Sequence, residues 1–160
     1  MLLEQAGQFS VYRWAIVIEI NTRNCYNHRK IREDFLVNAM CNVVTFKIGD
    51  RTVSIADIKK NHIENTAEKA VACSQIDKII LFGSAISESC SEKSDIDIAV
   101  FGSLPESCML KSKSYKNFVR ELFKYDYTQD YDILYFNTLK DNNAAILDYI
   151  NAGEVLYEKA

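Results

Sequence analysis

The chain has little that would let it flex. One proline and five glycines in 160 residues leave no material for long open linkers. Repeats and low-complexity stretches are absent as well. No run approaches the roughly 20 apolar residues that a membrane helix needs. The apolar stretch Trp14 to Ile18 is short, and Arg13 and Glu19 flank it. A signal peptide needs an early basic region and a small-residue cleavage site, and neither is clear. No membrane partner is expected.

A surplus of basic charge is missing too. The formal net charge is −3, whereas a protein that grips duplex nucleic acid usually carries a basic footprint. A long nucleic-acid partner is therefore not expected. The five cysteines, Cys25, Cys41, Cys73, Cys90 and Cys108, are odd in number and never fall at C-x-x-C spacing. That argues against a disulfide framework and a zinc site, and points to reduced thiols in the cytoplasm.

What remains is ordinary for one compact domain with a real core: 48% apolar and 26% charged residues. The polar stretch Asn21 to Lys30 separates an N-terminal piece from the rest. Residues 1–41 read as an accessory segment, with Ile31, Phe35, Leu36, Ala39 and Met40 on one helical face. A start at Met40 would omit most of it. Residues 42–160 read as the principal domain.

Within that domain, Val43 to Ile55 reads as a hairpin around Gly49-Asp50. Ser54 and Asp57 form a weak capping box for a helix to about Cys73, with Ile55, Ile58, His62, Ala70 and Val71 on its packed side. His62 stands alone there and reads as a packed or surface histidine. KIILF, Lys78 to Phe82, and SDIDIAVF, Ser94 to Phe101, read as buried strands. Tyr115, Phe118, Val119, Leu122 and Phe123 predict an amphipathic helix over 112–125. YDILYF, Tyr131 to Phe136, is a further strand. A last helix covers about Asn143 to Asn151 and stops at Gly153, before a short extended piece. Strands alternating with helices argue for an α/β (α+β) fold, a sheet with helices packed on it.

The chemistry concentrates in the strands. Asp95 and Asp97 are two apart, so both carboxylates leave the same face, about 7 Å apart along the strand. Two such acids repel unless a cation lies between them, and hard magnesium prefers oxygen ligands. D-x-D alone is common on solvated strands, but here it follows Gly83-Ser84, which comes directly after KIILF. Glycine lets a ligand approach the backbone closely, and a helix starting after Ser84 would turn its free N–H groups toward a phosphate. Lys93 and Ser94 close the same loop. Asp132 opens YDILYF, where an acid among bulky apolar residues needs a partner or solvent. If its strand neighbours that of Asp95 and Asp97, the three acids converge. Asp126 and Asp130 are rivals that precede the strand.

LFGSAISESCSEKSDIDIAVF resembles the G-S-x10-D-x-D signature of the minimal nucleotidyltransferases, a branch of the DNA polymerase β-like superfamily. YDILYF resembles the strand bearing that family's third acid, and DYINAGEVLYEK its closing helix and tail. The resemblance covers about 42–160. It implies a mixed sheet with helices on one face and the metal site on the other. It implies that Asp95, Asp97 and Asp132 are catalytic and hold two magnesium ions. It also implies that Gly83, Ser84, Lys93 and Ser94 contact the nucleoside triphosphate, ATP first.

Bacterial members of the family often pair with a small helical HEPN-type toxin, and some inactivate it by moving AMP from ATP to a tyrosine. The expected function is thus a magnesium-dependent adenylyltransferase acting as an antitoxin. Two alternatives are a catalytically weak antitoxin that neutralises by binding, and an aminoglycoside-type small-molecule nucleotidyltransferase, which usually needs a further domain to hold its acceptor. One departure stands out. Family members often carry an arginine soon after the glycine-serine pair, and here no basic residue precedes Lys93.

Overall fold

The computed structural model describes residues 41–139 and 145–160. The readings placed on residues 1–40, and the first residues of the predicted last helix, lie outside them.

The first two strands, β1 (Val43–Ile48) and β2 (Arg51–Ala56), form an antiparallel hairpin. Gly49 turns it with a φ of 58°, a left-handed value that an L side chain resists. Ser54 does not cap a helix. It lies inside β2 and shares a 2.9 Å hydrogen bond with Thr45 across the hairpin. A single 3-10 turn, Asp57–Lys59, instead leads into α1 (Lys60–Val71). The buried side of α1 is also rotated from the expected one. Ile63, Ala67 and Ala70 face the core, while Ile58 and Val71 are exposed. Ile55 belongs to β2 and Ile58 to the 3-10 turn, so neither sets the packed stripe of α1.

The main sheet has four strands in the order β5-β4-β3-β6. They are β3 (Lys78–Phe82), β4 (Ile96–Gly102), β5 (Tyr131–Asn137) and β6 (Glu154–Glu158). β3 runs antiparallel to β4 and β6, whereas β4 and β5 are parallel. The sheet is therefore mixed. Parallel neighbours need a crossover, and α2 (Glu106–Met109) and α3 (Lys113–Tyr125) supply it. The Ser112 hydroxyl caps α3 by accepting from the Tyr115 amide. α2 had no signal strong enough to be expected.

The two faces of the sheet are covered differently. Ile79, Leu81, Ile96, Ile98 and Val100 pack against α1 and α3 in the principal core, with Phe118 and Leu122 at its centre. Fully burying side chains of that size stabilises the fold by roughly 1.5–3 kcal/mol each. On the other face Ile80, Phe82 and Ala99 meet Ile150 of the short helix α4 (Ile146–Asn151). Gly153 ends α4 as expected, but for another reason than a left-handed cap: a Cβ there would overlap the Leu81 carbonyl. Among the described residues, no helix is long and apolar enough to cross a membrane.

Candidate functional site

β4 and β5 pair in parallel with Asp97 opposite Asp132. Register partners in a sheet project from the same face, so both carboxylates leave the face opposite α1 and α3. Their Cα atoms stand about 5 Å apart by the spacing of neighbouring strands. Asp95 lies just before β4, outside the strand, and its charge acts on Asp97 from there. The structure thus brings Asp97 and Asp132 to one face, with Asp95 close by at the start of β4.

β3 contributes the floor. Phe82 is the register partner of Asp97 and is buried, with the Tyr149 ring edge-on at 5.9 Å. Gly83 follows with a φ of 74°. A Cβ on Gly83 would overlap Oδ2 of Asp97 and stand 2.9 Å from its Cγ. The Asp97 carboxyl therefore lies over the bare backbone of Gly83, in a space that no other residue type leaves free.

Electrostatics follow from this crowding. The Asp97 carboxyl is pushed up from 3.8 to about 6, first by burial and then by the charges of Asp132 and Asp95. A carboxyl held reluctantly in its charged form invites a cation. Among the described residues, no group of three or more acid, histidine or cysteine side chains is gathered closely enough to hold an ion. The acids stand near one another without closing into a cage. The donors themselves, carboxylate oxygens beside a bare glycine backbone, are of the hard, all-oxygen kind that magnesium takes, so the residue types fit such an ion although their spacing here does not close on one.

The glycine-serine loop differs from expectation in one respect. No α-helix starts after Ser84. Gly83–Ile86 make one 3-10 turn, and Ser87 is extended. The loop satisfies its own polar groups: Ser87 donates backbone and hydroxyl hydrogens to the Ser84 carbonyl, at 3.0 Å each. A serine-rich segment offers these local alternatives to a helix. Ser94 is likewise engaged, its hydroxyl accepting from the Ser91 amide at 2.9 Å. Lys93 is exposed and makes no ion pair among the described residues. Gly83 borders Asp97, and Ser94 is the chain neighbour of Asp95.

Of the rival acids, Asp126 is engaged elsewhere. Asp126 accepts from the Thr128 amide and hydroxyl and lies 3.6 Å from His62. His62 packs edge-on to Tyr125, and burial lowers its pKa. This pair belongs to the packing of α1 on α3. The Asp130 carbonyl accepts from the Ile96 amide.

Two residues that sequence reasoning did not single out stand close behind the acids. Lys59 and Gln129 are buried, and both bond to the carbonyl of Ser94. A lysine beside a second lysine and a glutamine in a loop gave no signal by which to find them.

The sequence model of the family described as "Polymerase beta, Nucleotidyltransferase" matches residues 50–160. Among solved structures, a chain of the Shewanella oneidensis complex described as tri-AMPylated HEPN toxin with MNT antitoxin is similar at 18% identity. The match covers 63% of this chain and 73% of that one, with a TM-score of 0.41. A search of the curated proteins returns no match.

Proposed function

The chain belongs to the polymerase β nucleotidyltransferase family, and from that premise we propose that it moves AMP from ATP to a hydroxyl group on a partner protein. The observation that carries this reading is Asp97 abreast of Asp132 on parallel strands, with burial and then the Asp132 charge raising the cost of ionising Asp97. A fold gains no stability from such a pair, so its use lies in what it binds.

In this reading Asp95, Asp97 and Asp132 hold magnesium, and Gly83, Ser84, Lys93 and Ser94 line the path of the triphosphate. When bound, the ions supply positive charge against the phosphates and lower the pKa of the attacking hydroxyl. Gly83 offers its backbone without a side chain in the way. Asp132, exposed at the start of β5, takes the proton from the acceptor hydroxyl. The hydroxyl oxygen bonds to the α-phosphorus, the bond from that phosphorus to the bridging oxygen breaks, and pyrophosphate leaves.

The acceptor we propose is a tyrosine on a HEPN-type toxin, with this chain as antitoxin in the cytoplasm, where its thiols stay reduced. This finer step rests on the likeness of the G-S-x10-D-x-D motif to the minimal nucleotidyltransferases. The decisive experiment incubates the full chain with α-labelled ATP, magnesium and a HEPN-type partner. Label on a partner tyrosine, lost with Asp97→Asn, is the expected result. A toxin neutralised without label, equally well by both forms, would overturn it.

One observation favours a second reading, an antitoxin that works by contact. The exposed Glu88 and Glu92 outnumber Lys93 in the loop that should meet phosphate. Neutralisation that survives Asp97→Asn and Asp132→Asn together would establish it.

A further inference from the structure

Lys59 ends the 3-10 turn before α1 and is only 2% exposed. An ammonium has three donors, and all three are used. Nζ donates to the carbonyl of Glu92 at 3.0 Å, to the carbonyl of Ser94 at 2.7 Å, and to Oε1 of Gln129 at 2.5 Å. No N–H is left for a substrate. None of the three acceptors is a carboxylate, and burial lowers the Lys59 pKa from its usual value, with the Asp95 charge nearby pulling the other way. A buried ammonium without a hydrogen-bonded anion costs stability that an apolar side chain of the same length would not.

The acceptors indicate what that cost maintains. Gln129, also buried, turns its Nε2 back to the carbonyls of Ser94 at 3.1 Å and Asp130 at 2.7 Å. The Asp130 carbonyl accepts from the Ile96 amide at 3.0 Å. Ser94 and Ile96 flank Asp95, and Asp130 precedes Asp132 by two residues. One buried hub therefore ties down both chain segments that deliver acids to the site, from the far side of the sheet's end.

We propose that Lys59 is a positioning residue that sets the spacing of Asp95 from Asp132 by clamping the two segments that lead into β4 and β5. The inference rests on the reading of these acids as a magnesium site. Its consequence is specific: loosening the clamp weakens cation binding before it harms anything else.

Lys59→Met keeps the stem and removes the donors, Lys59→Arg keeps a charge and its donors, and Gln129→Leu breaks the hub from the other side. The first readout needs no activity. Hydrogen exchange at the Ile96 amide, without metal, should quicken by about tenfold in Lys59→Met, as expected for losing a charge-assisted hydrogen bond. The second is manganese binding, read by water-proton relaxation, which should weaken by about tenfold, as for the loss of an outer-shell support. Lys59→Arg should fall between wild type and Lys59→Met. In the transfer assay, the magnesium needed for half-maximal rate should rise while kcat at saturating magnesium recovers. A side chain that merely stabilises the fold would lower the melting temperature and leave the magnesium requirement unmoved.

If wild type binds manganese and the folded variants match it in affinity and in Ile96 exchange, the clamp is refuted while the acid site stands. If wild type binds no manganese, the acid-site reading fails and this inference fails with it. If Lys59→Met does not fold, Gln129→Leu carries the same comparisons. If neither folds, the wild type decides alone: an Ile96 amide that exchanges as freely as one in solvent overturns the clamp.

Discussion

The Asp97 carboxyl occupies the space where a Cβ of residue 83 would stand, so Gly83 and Asp97 fit one another only because residue 83 has no side chain. The positive φ of Gly83 adds a second demand for glycine at the same position. Backbone and acid are therefore coupled, and a change at 83 acts on 97.

Gly83→Ala should displace the Asp97 carboxyl and strain the turn. The expected stability loss is about 1–3 kcal/mol, from the left-handed backbone and the overlap together. Nucleotidyl transfer should fall much further than the melting temperature suggests. Chemical denaturation beside the labelled-ATP assay checks both, and a fully active Gly83→Ala protein would separate residue 83 from the chemistry.

Asp97→Asn should abolish transfer and leave the fold intact. Its effect on stability depends on pH in a definite direction. The folded protein keeps the Asp97 proton up to about pH 6, whereas the unfolded chain releases it near 3.8. Between these values the native state binds more protons, so the stability of the cation-free protein falls as pH rises through the window. Asparagine removes that loss. Without divalent ions the variant should melt above wild type at pH 7.5, by on the order of 1 kcal/mol once solvent screening is allowed for. The gap should close near pH 4, and magnesium should narrow it at pH 7.5 by stabilising wild type. Calorimetry across pH, with and without magnesium, reads all three.

ATP with magnesium should raise the melting temperature, because a ligand held only by the folded state stabilises it. At ten times its Kd the gain is about 1.4 kcal/mol, or roughly 3–5 °C for a chain of this size. An unchanged melting curve at millimolar ATP and magnesium counts heavily against the enzyme.

Glu88→Arg should tighten ATP binding several-fold at low salt, with the gain shrinking as salt rises. Glu88 is exposed and takes part in no hydrogen bond or ion pair among the described residues, so the exchange disturbs little. Ser87→Arg is the poorer choice, since the Ser87 hydroxyl bonds to the Ser84 carbonyl and to Ser89. Titration at two salt concentrations decides. If affinity is unmoved at low salt, the loop lies away from the triphosphate.

Much of the fold was legible because the local pattern matched the final environment. KIILF is buried on both faces and reads as a continuous apolar run, and it became β3 with the expected limits. The spacing of Tyr115, Phe118 and Leu122 placed α3 because those residues do face the core. The loop after Ser84 and the start of α1 were misjudged for one shared reason. Serine and aspartate stabilise turns, caps and strand-to-strand bonds alike, and only the surrounding chain selects among these. The short α2 was missed because four residues carry no period.

By itself the sequence determined the chemistry available: which residues are acids, that Asp97 leaves its strand on the face opposite Ile96 and Ile98, and where glycine bares the backbone. Those are properties of neighbours along the chain, fixed by the two-residue alternation of a strand. Only the tertiary structure decided that Asp132 stands level with Asp97, since the register of a parallel pair is set by a crossover and by packing on α3 rather than by any local signal. It alone brought Lys59 within reach of carbonyls 33 and 35 residues away and of a side chain 70 residues away. A buried ammonium finds acceptors wherever the fold has left carbonyls unpaired, and no local pattern records where those will be.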